Sequence, residues 1–478
     1  MRNTILMVPL LLLCALGKAQ TKNMAGIWEG SLHAGVQIHL LFNFTQSAPD
    51  SLSGTMDSPD QHVKGMALTK VGLAGDTLTV ELTPARAVYK AVFLNDTTLT
   101  GIWQQGGAEL PMVLKHVQHA TAVKPVTRPQ TPMPPFSYNT EDVEYDNADK
   151  SIHFGATFTY PKTGRPFATM LLITGSGAQD RDETILGHKP FAVLADYLTK
   201  RGYAVLRVDD RGVGKTTGNM ANATSADFAK DVRAGIAYLK TRNNVDTHKI
   251  GLVGHSEGGV IAPMVAAANK DIAFIVLWGA PMAGGLVINT EQNAAALQKA
   301  GISSDAVAAF KQLHTKALGL FSAATNTAVL NKQLQEVFTN WRQTQPQAVL
   351  TALAVTDSTI IGRTVNNLYD GLYNLSWMRF FITHNFAADL AKVDCPVLAI
   401  NGELDTQVDA PTNLAIIESV LKKNNNKSYQ VVPLKGLNHL LQTAVSGEVS
   451  EYANINETIS PLALDTIGLW LDTHIKSH

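Results

Sequence analysis

Lys249-Ile250-Gly251-Leu252-Val253-Gly254-His255-Ser256-Glu257-Gly258-Gly259-Val260-Ile261-Ala262 joins an apolar run to a small-residue helical pattern through Gly-x-Ser-x-Gly. Ser256 is the only serine in the chain with glycine two positions before it and two after it. Such a strand, sharp turn and helix lift the serine hydroxyl clear of the backbone. The flanking glycines leave the space that a Cβ would fill. The same turn aims the first amides of the following helix at one point, where negative charge can be stabilised. A tight turn carrying an ordinary serine is the plain alternative, so the rest of the chain must supply the partners of a reactive one.

Working outward, strands and helices alternate. Ala168–Thr174 and Ala204–Val208 read as strands, followed by helices at Phe191–Arg201 and Ala226–Lys240. Ala273–Trp278, Val397–Ile400 and Tyr429–Val432 are further apolar runs, continuous as in strands covered on both faces. Val143–Tyr160 reads as a strand pair and Leu462–Ile475 as a closing amphipathic helix. The pattern predicts an α/β-hydrolase fold, a mostly parallel central sheet, over residues 140–478. Residues from about 284 to 389 break the rhythm with Ala-, Leu- and Gln-rich helical spacing, which predicts a helical cap.

A serine hydroxyl is a weak nucleophile and needs a histidine to take its proton and a carboxylate to orient that histidine. In this fold the chain order is Ser, then Asp or Glu, then His, on loops that follow strands. Asn401-Gly402-Glu403-Leu404-Asp405 follows one strand and Gly436-Leu437-Asn438-His439 the next. Asp405 is therefore the candidate acid, ahead of Glu403 and Asp409. His439 is the candidate base among 14 histidines, and His255 points the wrong way for that role. Backbone N–H groups for the oxyanion are expected from Glu257 and from the Gly-rich loop Thr174-Gly175-Ser176-Gly177-Ala178, where Ser176 is the candidate and Gly177 its alternative.

Gly214-Lys215-Thr216 is similar to the end of a phosphate-binding loop, but Asp209 stands where that loop requires glycine. A turn that ties the top of the sheet together is expected there instead. No His/Cys/Asp/Glu cluster has metal-ligand spacing, so neither metal nor cofactor is expected. The cap aromatics Phe310, Trp341, Tyr373, Trp377 and Phe380 are candidates for lining a pocket or for ordinary cap core.

The 478 residues exceed one ordinary domain, and 45% hydrophobic with 17% charged residues describes a soluble globular chain. A formal net charge of −1 without an extended Lys/Arg run argues against nucleic acid or an anionic membrane as partner. Residues 1–19 read as a signal peptide: Arg2, an apolar core from Ile5 to Leu16, and Gly17-Lys18-Ala19 before the cleavage point. A periplasmic or secreted protein is expected. Cys14 raises the question of a lipid anchor, but Leu13 stands before it where a small residue is expected. Cleavage leaves only Cys395, so no internal disulfide is expected. Residues 20–118 read as a small β barrel or sandwich cut into short strands by Gly54, Gly65, Gly72, Gly75 and Gly101. A linker over 119–139 carries Pro125, Pro129, Pro132, Pro134 and Pro135.

From about residue 140 onward the chain resembles the EstD-type bacterial serine carboxylesterases of the α/β-hydrolase superfamily. The resemblance rests on Gly175-Ser176-Gly177-Ala178-Gln179-Asp180-Arg181-Asp182-Glu183, Asp209-Asp210-Arg211-Gly212, Gly254-His255-Ser256-Glu257-Gly258-Gly259 and Asn401-Gly402-Glu403-Leu404-Asp405-Thr406-Gln407-Val408. Leu437-Asn438-His439-Leu440-Leu441-Gln442 and Glu457-Thr458-Ile459-Ser460-Pro461 complete it. Asn385-Phe386 departs from it, standing where an acidic-Pro step is expected. The resemblance implies cofactor-free hydrolysis of short-chain carboxylic esters, with Ser256, Asp405 and His439 as triad. A serine peptidase or aminopeptidase and a thioesterase share the fold and triad. From another class, the β domain could make the chain a ligand-binding protein, a reading that an intact triad disfavours.

Overall fold

The computed structural model describes residues 23–34, 36–48, 51–59, 63–83, 85, 87–105, 108–120, 128–357 and 367–476. The expected leader, its cleavage point and Cys14 lie outside the described residues, as do 121–127 of the Pro-rich stretch. Contacts divide the chain into two units, Met1–Lys124 and Pro125–His478.

The first unit is an antiparallel sheet of β1 (Gly26–Ala34), β2 (Val36–Ala48), β3 (Ser51–Ser58), β4 (Val63–Ala67), β5 (Lys70–Ala74), β6 (Thr77–Leu82), β7 (Ala87–Asn95), β8 (Thr98–Gln105) and β9 (Ala108–Val117). Each strand pairs with its sequence neighbour up to β4 and again from β5, and β1 also pairs with β9. Between β4 and β5, Leu68 N–H donates to Gly54 O at 3.0 Å and Thr69 N–H to Glu81 O at 2.8 Å. That two-residue step runs from one edge strand of the sheet to the other, so the sheet curls into a half-barrel. Alternation puts Leu78, Val80 and Leu82 inside, with Trp28, Phe42 and Tyr89. The buried Tyr89 hydroxyl donates to Met112 O at 3.0 Å.

The glycines of this unit need a correction. Of the five expected to break it into strands, Gly75 alone sits in a turn; Gly54, Gly65, Gly72 and Gly101 lie inside strands. At Gly54 a Cβ would stand 2.5 Å from Asn43 O, and at Gly101 2.1 Å from Lys90 O. These two admit a neighbouring backbone rather than end a strand.

In the second unit β10 (Asn139–Asp146), β11 (His153–Tyr160), β12 (Phe167–Ile173), β13 (Ala204–Val208), β14 (Val245–His255), β15 (Phe274–Trp278), β16 (Val397–Gly402) and β17 (Tyr429–Leu434) form one sheet. Its order is β10-β11-β13-β12-β14-β15-β16-β17. The first pairings, β10 with β11 and β11 with β13, are antiparallel and the rest parallel. With the serine turn at the end of β14, this is the α/β-hydrolase arrangement. β15 and β16 are buried at every position, because helices cover both faces.

One face carries α1 (Pro190–Lys200), whose Phe191, Leu194 and Leu198 pack with Ile467, Trp470 and Leu471 of the closing helix. The other carries α2 (Ser225–Lys240) and α3 (Glu257–Ala268), through Val232, Ile236, Ile261 and Val265. Between β15 and β16 the described residues hold no strand. They form α4 (Gly285–Lys299), α5 (Ser304–Gly319), α6 (Thr327–Gln343), α7 (Gln347–Ala352), α8 (Ser376–Thr383) and α9 (Phe386–Leu390), among others. α10 (Ala410–Lys423) and α11 (Pro461–Leu471) complete the described α-helices after β16.

The Pro-rich stretch packs from Arg128 onward. The Arg128 guanidinium donates to Ile455 O, to Leu186 O at 2.7 Å and to Ala453 O at 3.2 Å. Gln130 Nε2 donates to Ile459 O at 2.7 Å. Cys395, just before β16, packs against the core, and burial pushes its thiol up to about 12.

Candidate active site

Ser256 sits between β14 and α3 with φ 51° and ψ −115°, a conformation that side chains other than glycine rarely adopt. Its N–H donates to Trp278 O at 2.8 Å, which ties the turn to β15. A Cβ on Gly254 would meet Gly258 O at 2.0 Å, and one on Gly258 would meet Ile173 O at 2.1 Å. Both flanking glycines are therefore required by the backbone of the turn and of β12.

The register of β16 and β17 pairs Gly402 with Leu434 and so sets the next two loops side by side. A Cβ on Gly402 would meet Leu437 O at 2.2 Å, and Leu404 N–H donates to that oxygen at 2.9 Å. Across this contact His439 Nδ1 stands 2.6 Å from Asp405 Oδ2, both side chains buried. Asp405 Oδ1 accepts the N–H groups of Gln407 and Val408, each at 2.8 Å. The His439 turn is held by Asn438, whose Oδ1 accepts from Leu440 N at 3.1 Å and Gln442 N at 2.9 Å. The rival acids are placed elsewhere. Glu403 is exposed, and Asp409 caps α10 by accepting Thr412 N–H at 2.9 Å.

In the Gly-rich loop after β12, Gly175 N–H donates to Glu183 Oε1 at 2.6 Å. Ser176, Ser256 and His439 line one cavity of about 320 Å³. Gly177 lines a smaller one of about 50 Å³, bounded by Asp210 and Glu257. The larger cavity has apolar walls from Ile185, Ile288, Trp377, Phe381 and Leu440, with the amides of Gln179, Gln292 and Gln407 between them.

The family model described as serine aminopeptidase, S33 (Hydrolase_4) matches residues 189–443, over half of the 478 residues. The chain belongs to this family of hydrolases. Esterase EstD of Thermotoga maritima is 28% identical over 171 residues, 36% of this chain and 39% of that protein. The match thus spans about two fifths of that relative's length. Among solved structures, the Pyrococcus furiosus esterase Pf2001 is 16% identical at a TM-score of 0.41, over 74% of this chain and all of that one (100%). Est1E from Butyrivibrio proteoclasticus, solved with ferulic acid bound, is 15% identical at a TM-score of 0.41, over 70% of this chain and 99% of that one.

Of the aromatic candidates in this S33-family hydrolase, only Trp377 lines the Ser256 cavity, joined by Phe381, which the sequence did not single out. Trp341 and Tyr373 belong to the helical segment's own cores, and the Trp341 indole donates to Ala309 O at 3.0 Å. Phe310 stacks on His314 and Phe380 on His384. Trp377 is fixed because its Nε1–H donates to Glu257 Oε1 at 2.7 Å, and Ser225 Oγ donates to the same oxygen at 2.6 Å. Burial pushes the Glu257 carboxyl up, against the hydrogen bonds from Ser225, Trp377 and Ser176 that favour its charge.

The Asp209–Gly212 turn braces the Gly-rich loop after β12. Arg181 clamps Asp209 through Nε at 3.0 Å and Nη2 at 2.6 Å, and a Cβ on Gly214 would stand 2.3 Å from Asp209 Oδ2. Asp209 thus packs directly against the backbone of Gly214. The half-buried Asp210 accepts Thr174 Oγ1 at 2.8 Å and Gln179 N at 3.0 Å, at the two ends of the loop. Burial pushes its carboxyl up to about 7, with Glu183 and Glu257 adding to the rise.

The folded state holds that proton more tightly than the unfolded chain, where Asp titrates near about 3.9. The resulting stabilisation is complete below about pH 4 and is lost as pH rises through about 7. Asp210→Asn, neutral at every pH, is expected to gain in melting temperature relative to wild type between about pH 5 and pH 8. Thermal melts at both pH values test this; a difference independent of pH contradicts it.

Proposed function

We propose that this hydrolase is a serine carboxylesterase that cleaves short-chain carboxylic esters through an acyl-enzyme. The observation that carries the reading is the Asp405–His439 pair at 2.6 Å, buried at the wall of the cavity that Ser256 and Ser176 also line. The Nδ1 bond to Asp405 commits that nitrogen's proton and leaves Nε2 as the base. Ser256 Oγ attacks the ester carbonyl while His439 takes its proton. The N–H groups of Glu257 and Ser176 hold the oxyanion, a contribution of about 3 kcal/mol for each donor. Ser176 is preferred over Gly177 because it shares the cavity of Ser256. His439 then protonates the leaving alcohol and activates the water that releases the acid.

An aminopeptidase needs a carboxylate for the substrate's amino group. Among the described residues the only acid lining the cavity is Glu183, fully buried and already accepting from Gly175. Apart from that committed carboxylate and the histidines, the walls carry no charged side chain and suit an ester. Hydrolysis of p-nitrophenyl esters from acetate to palmitate, compared with an aminoacyl p-nitroanilide and an acyl thioester, tests this. Turnover of short esters above both rivals supports the reading, and preferential turnover of either rival replaces it.

The helices from α4 to α9 act as the cap in this reading, since Ile288, Gln292, Trp377 and Phe381 all come from them. Trp377 and Phe381 stack at 5.2 Å with 12° between their planes and form an apolar wall that limits chain length. Trp377→Ala is expected to raise the ratio of kcat/KM for octanoate over butyrate by about tenfold, the effect of opening room for a few methylenes. An unchanged ratio in the folded variant assigns the chain-length limit elsewhere.

A further inference from the structure

Behind the nucleophile lies a second histidine–carboxylate pair that the reaction above does not use. His255 Nδ1 stands 2.9 Å from Glu183 Oε1, with side chains 3% and 0% exposed. The same Oε1 takes the Gly175 N–H at 2.6 Å. On the far side, His255 Nε2 is 3.2 Å from His439 O, which also accepts the Trp278 indole N–H at 2.9 Å. The His255 ring packs against the rings of Trp278 and His439, with centroids 4.4 Å and 4.7 Å away. One unbroken chain of contacts therefore runs from the oxyanion loop, through the neighbour of Ser256, to the main chain of His439.

The backbone at Glu183 is strained to make this contact. Its φ is 53°, in the left-handed region, and it is no glycine. Asp180 holds the turn: Oδ1 accepts Asp182 N at 3.1 Å and Thr184 N at 2.9 Å, and Oδ2 accepts Thr184 Oγ1 at 2.6 Å. Strain of this kind persists only where surrounding structure enforces it, and it gathers at functional sites. The chemistry of the pair is specific too. A carbonyl can only accept, so His255 Nε2 must carry a proton to bond His439 O.

We infer that Glu183 and His255 are positioning residues of the reaction, which act by holding the Ser176 amide, Ser256 and His439 in register. The inference rests on Ser256 being the nucleophile proposed above. A displacement of about 1 Å between such groups slows chemistry about 100-fold while leaving the fold intact.

The test uses diethyl p-nitrophenyl phosphate, which reports on the serine whatever the natural substrate. Ser256 Oγ forms a bond to phosphorus, p-nitrophenolate leaves with the electron pair of the broken P–O bond, and His439 takes the serine proton. Both the rate constant and the final fraction of adduct, located by mass spectrometry, are recorded. Glu183→Gln keeps an acceptor for Gly175 N–H but removes the charge that faces His255. His255→Asn keeps a donor toward Glu183 and loses the one toward His439. Both are expected to label to the wild-type fraction but about 10- to 100-fold more slowly.

A purely structural pair would lower the melting temperature and the labelled fraction, with the labelled molecules reacting within about threefold of the wild-type rate; that result overturns the inference. Should one variant fail to fold, the rate of the other decides. A wild type that takes no adduct at Ser256 overturns the nucleophile assignment itself, a separate outcome.

Discussion

Ser256→Ala is expected to lower kcat on a short-chain ester by about a million-fold, the loss seen when a triad serine is removed from an otherwise intact site. The size follows from what is removed and what stays. The variant has no atom to form the acyl-enzyme, and His439 has no hydroxyl to deprotonate. The amides of Glu257 and Ser176 still polarise a bound carbonyl, so a residual acceleration of about 1,000- to 10,000-fold over water persists. The fold should not suffer, because alanine at φ 51° meets the same backbone cost as serine and Ser256 makes its described hydrogen bonds through its main chain. The checks are kcat on p-nitrophenyl butyrate and a thermal melt. A stable variant retaining more than about a hundredth of wild-type activity removes Ser256 from the nucleophile role.

The residues concerned differ in how readable they were. Ser256 could be found because two glycines, each required by a backbone oxygen about 2 Å from where a Cβ would lie, leave a pattern in the chain itself. That Asp405 and His439 lie together could be read because they follow the apolar runs of β16 and β17, which run parallel and in register. The pairing of Glu183 with His255 could not be read, for the opposite reason. They lie 72 residues apart, and which member of Asp180-Arg181-Asp182-Glu183 turns inward depends on hydrogen bonds made by Asp180.

The aromatics of the helical segment show the same limit. Trp377 and Trp341 are equivalent as residue types. One bonds Glu257 beside Ser256 and the other bonds a helix carbonyl in a local core. In the β unit, a glycine that admits a neighbouring backbone, as at Gly101, cannot be told by spacing from one that ends a strand. Local backbone demands and strand-end placement write themselves into sequence. The direction of a side chain within a loop is decided by contacts distant in the chain.

Asp405→Asn carries the other large expectation, a fall in kcat of about 10,000-fold with KM little changed. The structure gives the reason through hydrogen bonds that the substitution preserves. Oδ1 of Asp405 accepts from Gln407 N and Val408 N, both at 2.8 Å, so an asparagine must place its carbonyl oxygen there. Its NH₂ then takes the place of Oδ2 and points at His439 Nδ1, where the carboxylate stood 2.6 Å away. A donor facing Nδ1 forces that nitrogen to accept, so the ring proton moves to Nε2. His439 then presents a proton to Ser256 where the reaction needs a lone pair. The developing imidazolium also loses its counter-charge.

Because both backbone hydrogen bonds survive, the melting temperature should stay near that of wild type, and the loss should appear in the rate of acylation. Stopped-flow release of p-nitrophenol from p-nitrophenyl butyrate measures that step. A loss under about 100-fold in a stable variant contradicts the assignment, since it means that the His439 tautomer is set by something other than Asp405.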